Sequence, residues 1–130
     1  MGKWPPLLHE ELTRSIIGAF LDVYWELGFG FLESVYAECL DVELARRGHA
    51  IQREAWITVH YKGRPVSLQR ADRIVDDKVL VELKATATLP IAAKRVTYNY
   101  LKATRYEVGL VLHFGLTPEF HRLVYSNPDF

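Results

Sequence analysis

Residues 79–85 read Val-Leu-Val-Glu-Leu-Lys-Ala, and this short segment limits the fold more than any other part of the chain. Its apolar density is typical of a strand in the centre of a sheet. Alternation along a strand places Leu80, Glu82 and Lys84 on one face and the other four residues on the opposite face. Two charges on one face of a central strand are costly to bury unless something compensates them. The segment therefore predicts a buried sheet in which Glu82 and Lys84 need partners.

The rest of the chain supplies the elements around this strand. The spacing of apolar residues, with glycine stops and a proline start, predicts helices over residues 7–27, 32–47 and about 90–104. Strand patterns cover residues 54–61, 66–75, 107–114 and 120–125. The predicted fold class is α/β (α+β), a mixed β-sheet flanked by helices in the order α-α-β-β-β-α-β-β. We expect one domain over residues 1–130, with its core between about residues 12 and 125.

Charge balance limits the ways in which this chain could bind nucleic acid. Sixteen Lys and Arg residues match sixteen Asp and Glu residues, so the formal net charge is zero. Binding to DNA or RNA would then need a local basic patch. One candidate patch lies on the last predicted helix and just beyond it, at Lys94, Arg95, Lys102 and Arg105. The alternative is that these side chains form an ordinary solvated helix face.

Compartment and assembly are constrained only in part. The single cysteine, Cys39, excludes an internal disulfide and fits a reducing compartment. Residues 1–6 lack the apolar run of a signal peptide, and no apolar segment is long enough to span a bilayer. We therefore expect a cytoplasmic protein without a membrane partner. The sequence leaves its oligomeric state open.

Asp72 gives the charged strand a chemical interpretation. The polar run Asp-Asp-Lys at residues 76–78 predicts a turn that makes residues 66–75 an antiparallel neighbour of residues 79–85. That pairing brings Asp72 close to Glu82, where two carboxylates would repel each other. Mg²⁺ or Mn²⁺ would remove the conflict, and Lys84 beside the metal could stabilise phosphate charge. The alternative is a structural ion pair between Glu82 and Lys84.

Two motifs connect these residues with known protein families. Asp72 followed by Glu82-Leu83-Lys84 resembles the D…(D/E)xK signature of the PD-(D/E)xK nuclease superfamily. Residues 30–36, Gly-Phe-Leu-Glu-Ser-Val-Tyr, match the motif that gives the GxxExxY protein family its name. Similar segments follow at residues 100–104 and 108–115, and the resemblance extends from about residue 12 to residue 124. It implies a PD-(D/E)xK nuclease-like core that uses a divalent metal.

The resemblance also implies roles for individual residues. Glu33, Asp72 and Glu82 would bind Mg²⁺ or Mn²⁺, and Lys84 would assist the attack of water on a phosphodiester. Tyr36 would join the same site, although packing in the core explains it equally well. Related nucleases often carry a QxxxY motif on the helix after the metal-binding strand. Tyr100 matches the tyrosine of that motif, whereas Val96 stands where the glutamine is expected.

Two functions remain in competition at this point. The first is a metal-dependent nuclease that acts on DNA or RNA. The second is a catalytically degenerate module that kept the fold and binds nucleic acid or a protein partner. The intact Asp72, Glu82 and Lys84 favour the first, and Val96 favours the second, because valine cannot make the hydrogen bonds of a glutamine. The sequence leaves open whether the substrate is DNA or RNA and whether cleavage is endonucleolytic or exonucleolytic.

Overall fold

The computed structural model describes residues 7–126 and shows the predicted order of elements. The elements are α1 (Glu10–Leu27), α2 (Glu33–Arg46), β1 (Ile51–Tyr61), β2 (Arg64–Val75), β3 (Val79–Lys84), α3 (Ala93–Lys102), β4 (Val108–Phe114) and β5 (Pro118–Val124). Three helices and a mixed sheet confirm the predicted fold class. Residues 1–6, on which the signal-peptide prediction rests, lie outside the described residues.

The five strands form one sheet in the order β1-β2-β3-β4-β5. All neighbours are antiparallel except β3 and β4, which run parallel. Helix α3 connects these two parallel strands, since a parallel pair needs a crossover. Strand β3 is therefore the central strand, as its apolar density predicts, and every residue from Val79 to Leu83 is buried.

Helices cover the sheet on both faces. Helices α1 and α2 pack against Val79, Val81 and Leu83 of β3 and against alternate residues of β4. Helix α3 covers the other face, where Leu101 packs with Leu80 and Ile74. Close contact between α3 and β4 depends on Gly109, because a Cβ there would lie 3.0 Å from the Thr97 methyl carbon. The alternation of β3 thus places Glu82 and Lys84 on the α3 side of the sheet.

Strands β1 and β2 form a hairpin that is longer than expected. The predicted strands leave residues 62–65 for the turn, but the observed turn is only two residues long. Lys62 and Gly63 alone reverse the chain, because both have positive φ, 51° and 77°. Arg64 and Pro65 consequently belong to β2. The residues of β2 from Arg64 to Arg70 are exposed, so the outer half of the hairpin projects from the core as an arm.

Glu54 redirects this hairpin. Its φ of 51° lies in the left-handed region, which is uncommon for a residue other than glycine. Before it, Arg53 pairs with Glu38 and Asp41 of α2. After it, Ala55 and Ile57 pack in the cluster that contains Leu101 of α3. The arm therefore leaves the α2 side of the sheet and turns towards α3.

Two further comparisons with the sequence concern the helices. Helix α3 begins at Ala93 rather than Pro90, since residues 85–92 form a loop in which Pro90 only accepts a hydrogen bond from the Ala93 amide. Between residues 7 and 126, every helix is too short or too polar to cross a membrane.

Candidate active site

Asp72 and Glu82 meet where strands β2 and β3 separate. The regular register between the strands ends at the pair Arg73–Val81. One position further, the Asp72 amide donates to Glu82 Oε1 at 3.0 Å, and the Leu83 amide donates to Asp72 Oδ2 at 2.8 Å. The two carboxylates thus take the place of backbone acceptors at the point of divergence. Strands β2 and β3 are antiparallel neighbours, as the sequence predicts, and they bring Asp72 and Glu82 together.

The environment of Glu82 favours its neutral form. Its side chain is buried, with 7% of the residue exposed. Burial raises the pKa of Glu82 from 4.5 to about 8, and the negative charge of Asp72 adds to the rise, while Lys84 opposes it. Without a nearby cation, the pair therefore keeps a proton near neutral pH.

Glu33 lies at the first position of α2 and faces the same acids. Burial raises the pKa of Glu33, the charge of Asp72 raises it further, and the charge of Lys84 lowers it. Glu33 and Asp72 line a cleft of about 260 Å³ between α2 and the base of the hairpin. The structure thus brings Glu33, Asp72, Glu82 and Lys84 into one electrostatic environment.

The structure fits a divalent cation held by Asp72 and Glu82 better than one held by these two acids together with Glu33. Within residues 7–126, no three His, Cys, Asp or Glu side chains are close enough together to hold a metal ion. Asp72 and Glu82 nevertheless provide adjacent hard oxygen donors whose repulsion a cation would relieve. Mg²⁺ is commonly bound by one or two carboxylates, with water and substrate phosphate as the remaining ligands. Glu33 lies in the outer part of this arrangement.

Tyr100 approaches the acids from α3. Burial raises its pKa, and the charges of Glu82 and then Asp72 raise it further. Val96 lies one helical turn earlier, with 39% of the residue exposed, and faces open space beside Tyr100. The missing glutamine thus leaves an open position in the structure rather than a packed apolar one.

Tyr36 occupies a different place from the one implied by the resemblance. It is fully buried and stacks on Phe114 with ring centroids 4.2 Å apart. Its hydroxyl donates to the Gly28 carbonyl and accepts a hydrogen bond from the Phe31 amide at 3.3 Å. These contacts fix the loop between α1 and α2. In the described part of the chain, the phenol of Tyr36 serves this loop, while Tyr100 is the tyrosine beside the acids.

The four predicted nucleic-acid-binding residues do not surround the acids as one patch. Lys94 and Arg95 are exposed in the first turn of α3, where Arg95 lies 5.3 Å from the centre of the Tyr98 ring. Lys102 is at the far end of the helix, about 12 Å away along its axis. Arg105 binds both carboxylate oxygens of Asp77 at 2.6 Å, in the turn before β3. The four residues therefore lie at and beyond the two ends of α3 and do not form one patch.

Sequence analysis missed the basic residues nearest the cleft. Arg53, Arg70 and Arg73 line it together with Glu33 and Asp72. Arg73 is buried and holds Asp41 of α2 through two hydrogen bonds of 2.7 and 2.9 Å. The side chain of Arg70 is half exposed and forms a long ion pair of 3.6 Å with Glu54. The available signal was the run Arg-Ala-Asp-Arg at residues 70–73, in which two arginines flank the predicted metal ligand.

Comparison with protein families shows which superfamily the chain resembles along most of its length. The family model described as the PD-(D/E)XK nuclease superfamily matches residues 10–123 of the chain. The match includes every acid discussed above, as well as Lys84 and Tyr100. Curated proteins and solved structures give no match.

Proposed function

The chain belongs to the PD-(D/E)XK nuclease superfamily, and from this we propose that it is a metal-dependent nuclease that hydrolyses phosphodiester bonds in DNA or RNA. The observation that carries the proposal is the direct approach of Asp72 and Glu82 where β2 and β3 separate. Two carboxylates that are buried together repel each other unless one is protonated or a cation compensates them. An ion site explains why all three charged groups are kept together.

Asp72 and Glu82 would hold Mg²⁺ or Mn²⁺, and the negative charge of Glu33 at the start of α2 would strengthen the attraction for the ion. The bound ion would supply Lewis acidity at the scissile phosphate and a water with a lowered pKa. Lys84 follows Glu82 by two residues on the same strand, so the two side chains leave the same face of the sheet. There it would stabilise the negative charge that develops on the phosphate during attack.

We also propose that the chain belongs to the GxxExxY subfamily. Residues 30–36 carry its motif, and the structure gives each named position of the motif a physical reason. Gly30 has a φ of 119°, which favours glycine. Glu33 starts α2 beside Asp72, and Tyr36 fixes the loop that precedes the helix. The motif residues therefore shape the loop and the start of α2, which together position Glu33 near the acidic pair.

The alternative function is a catalytically degenerate module that binds nucleic acid or protein. The observation in its favour is Val96, which cannot donate a hydrogen bond at the position where related nucleases have glutamine. The exposed side of Val96 leaves space for water or substrate, so this departure does not close the site.

A cleavage assay separates the two functions. Purified protein is incubated with single- and double-stranded DNA and RNA in Mg²⁺, in Mn²⁺ and in chelator, beside the variants Asp72→Asn and Lys84→Ala. We expect metal-dependent cleavage by the wild type and a loss of at least about 100-fold in either variant, the usual scale for removing a catalytic charge. Absence of cleavage on all four substrates would favour the degenerate module, and equal cleavage by Asp72→Asn would contradict the assignment of the acidic pair as the active site.

A further inference from the structure

Two segments of the chain contain no acidic residue, although the whole chain has sixteen. Residues 55–71 carry three Lys or Arg residues, and residues 83–106 carry five. The first segment forms the outer hairpin, and the second includes the end of β3 and all of α3. Arg70 and Arg105 pair with Glu54 and Asp77 outside these segments, and the other basic residues of the two segments lie in acid-free stretches of the hairpin and of residues 83–106.

A groove of about 720 Å³ lies between these two elements. The hairpin contributes Thr58, His60, Ser67 and Gln69, and α3 contributes Val96, Asn99, Tyr100 and Lys102. Tyr100 links the groove to the candidate active site, because it also lies within electrostatic range of Glu82 and Asp72. A ligand lying in the groove and touching Tyr100 would therefore lie near the acidic pair.

The lining has the chemistry of a nucleobase site. Asn99 is exposed, and Gln69 lies opposite it on the hairpin, so two amides offer both donors and acceptors to base edges. The Tyr100 ring provides a surface on which a base can stack. Mixed apolar and amide lining, flanked by cations, suits flat bases joined by phosphates better than an acidic peptide.

The size of the groove decides which form of nucleic acid it accepts. A volume of about 720 Å³ is within the range of pockets that enclose a single small molecule. It holds a short stretch of one strand, and the Tyr100 ring can stack only on a base that is not already stacked within a duplex. We propose that this groove binds single-stranded nucleic acid and delivers it to the acidic pair. The inference rests on the proposed nuclease function only for the direction of delivery, not for binding.

Binding can be tested without catalysis. A fluorescein-labelled single strand of mixed sequence and the duplex of the same sequence are titrated with the full chain in chelator, and anisotropy is followed. The test variant is Val96→Glu, which places a negative charge in the groove. Its matched control is Val42→Glu, because Val42 is also an exposed helical valine, 57% exposed, but lies on α2 away from the groove. Melting temperatures of both variants establish that they fold.

We expect the single strand to bind more tightly than the duplex, and Val96→Glu to weaken that binding about tenfold or more, the scale of one lost base-stacking contact. Val42→Glu should leave the affinity unchanged. Absence of saturable single-strand binding, tighter binding of the duplex, or equal effects of the two variants would overturn the inference. Binding without cleavage in Mg²⁺ would instead remove the proposed nuclease activity and leave the groove assignment standing. Cleavage with equal affinities for the two variants would do the reverse.

Discussion

Glu82 combines two properties that seldom occur together, a position in a central strand and a carboxyl group. Burial and the charge of Asp72 raise its pKa from 4.5 to about 8. Because the folded pKa is above the unfolded value, the native state binds the proton more tightly than the unfolded chain does. The resulting stability is complete below pH 4.5 and is lost as the pH rises through 8. In the metal-free protein, Glu82 is thus a source of instability on the alkaline side.

The substitution Glu82→Gln should remove this pH dependence. Glutamine keeps an acceptor for the Asp72 amide and adds a donor for the Asp72 carboxylate. In chelator at pH 8.5 or above, we expect the variant to be more stable than the wild type by roughly 1–3 kcal/mol, the usual cost of an uncompensated buried polar group. At pH 4.5 the advantage should disappear. Urea denaturation across this pH range measures it, and a difference that is constant with pH would contradict the assignment.

Val96 is the residue at which the chain departs from its nuclease relatives. Since 39% of Val96 is exposed at an open groove, a glutamine there would reach solvent or substrate rather than be buried without partners. We expect Val96→Gln to change stability by less than about 0.5 kcal/mol and to preserve or raise Mg²⁺-dependent cleavage. Melting curves and cleavage rates test both parts. Destabilisation of about 1–3 kcal/mol with no gain in rate would indicate a closed pocket.

At this scale, the sequence predicts some site residues and not others. The meeting of Asp72 and Glu82 follows from strand alternation and one turn signal, both of which are local. The place of Tyr36 depends on the path of the loop between α1 and α2, which no periodicity describes. The left-handed conformation of Glu54 is equally invisible, because glutamate has no preference for it. The positions of residues that depend on long-range packing therefore follow from the three-dimensional structure and not from local sequence patterns.

Among the elements, the loop between α1 and α2 controls the position of Glu33. Tyr36 connects the start of α2 to this loop and packs against Phe114 of β4, so one side chain aligns a helix with the sheet. The elements themselves were well predicted, because helical and strand periods are strong in this chain. The hairpin was underestimated because its outer half is exposed and lacks a buried face to produce a pattern.

The substitution Tyr36→Phe tests the role of this tyrosine. It removes the hydroxyl contacts with Gly28 and Phe31 but keeps the ring stacked on Phe114. We expect a loss of about 1–2 kcal/mol in the free energy of unfolding, because the Gly28 carbonyl is left without its partner. Under conditions where the variant is fully folded, its cleavage rate should fall much less than that of Asp72→Asn, because the hydroxyl affects only the placement of Glu33. A large fall in rate with unchanged stability would instead give the Tyr36 hydroxyl a catalytic role.

In the whole molecule, the two ends of strand β3 carry different groups of polar residues. The acids meet at the end of β3, and at its start the turn residue Asp76 binds His49 at 2.7 Å, which ties the turn to the segment before β1. The groove between the acid-free hairpin and α3 includes Tyr100, which lies near the acidic pair. Composition alone shows a neutral protein, and only the fold shows that two acid-free segments lie on either side of one groove.

The central claim is that Asp72 and Glu82 together bind a divalent cation. The most direct test compares the melting temperatures of the wild type and Asp72→Asn in chelator and in Mn²⁺. A ligand that binds only the folded state stabilises it, by about 2.7 kcal/mol at 100 times its dissociation constant. We expect Mn²⁺ to raise the melting temperature of the wild type and to leave that of Asp72→Asn unchanged. In chelator the variant should be at least as stable as the wild type, because charge repulsion is relieved. An equal rise with Mn²⁺ in both proteins would contradict the claim.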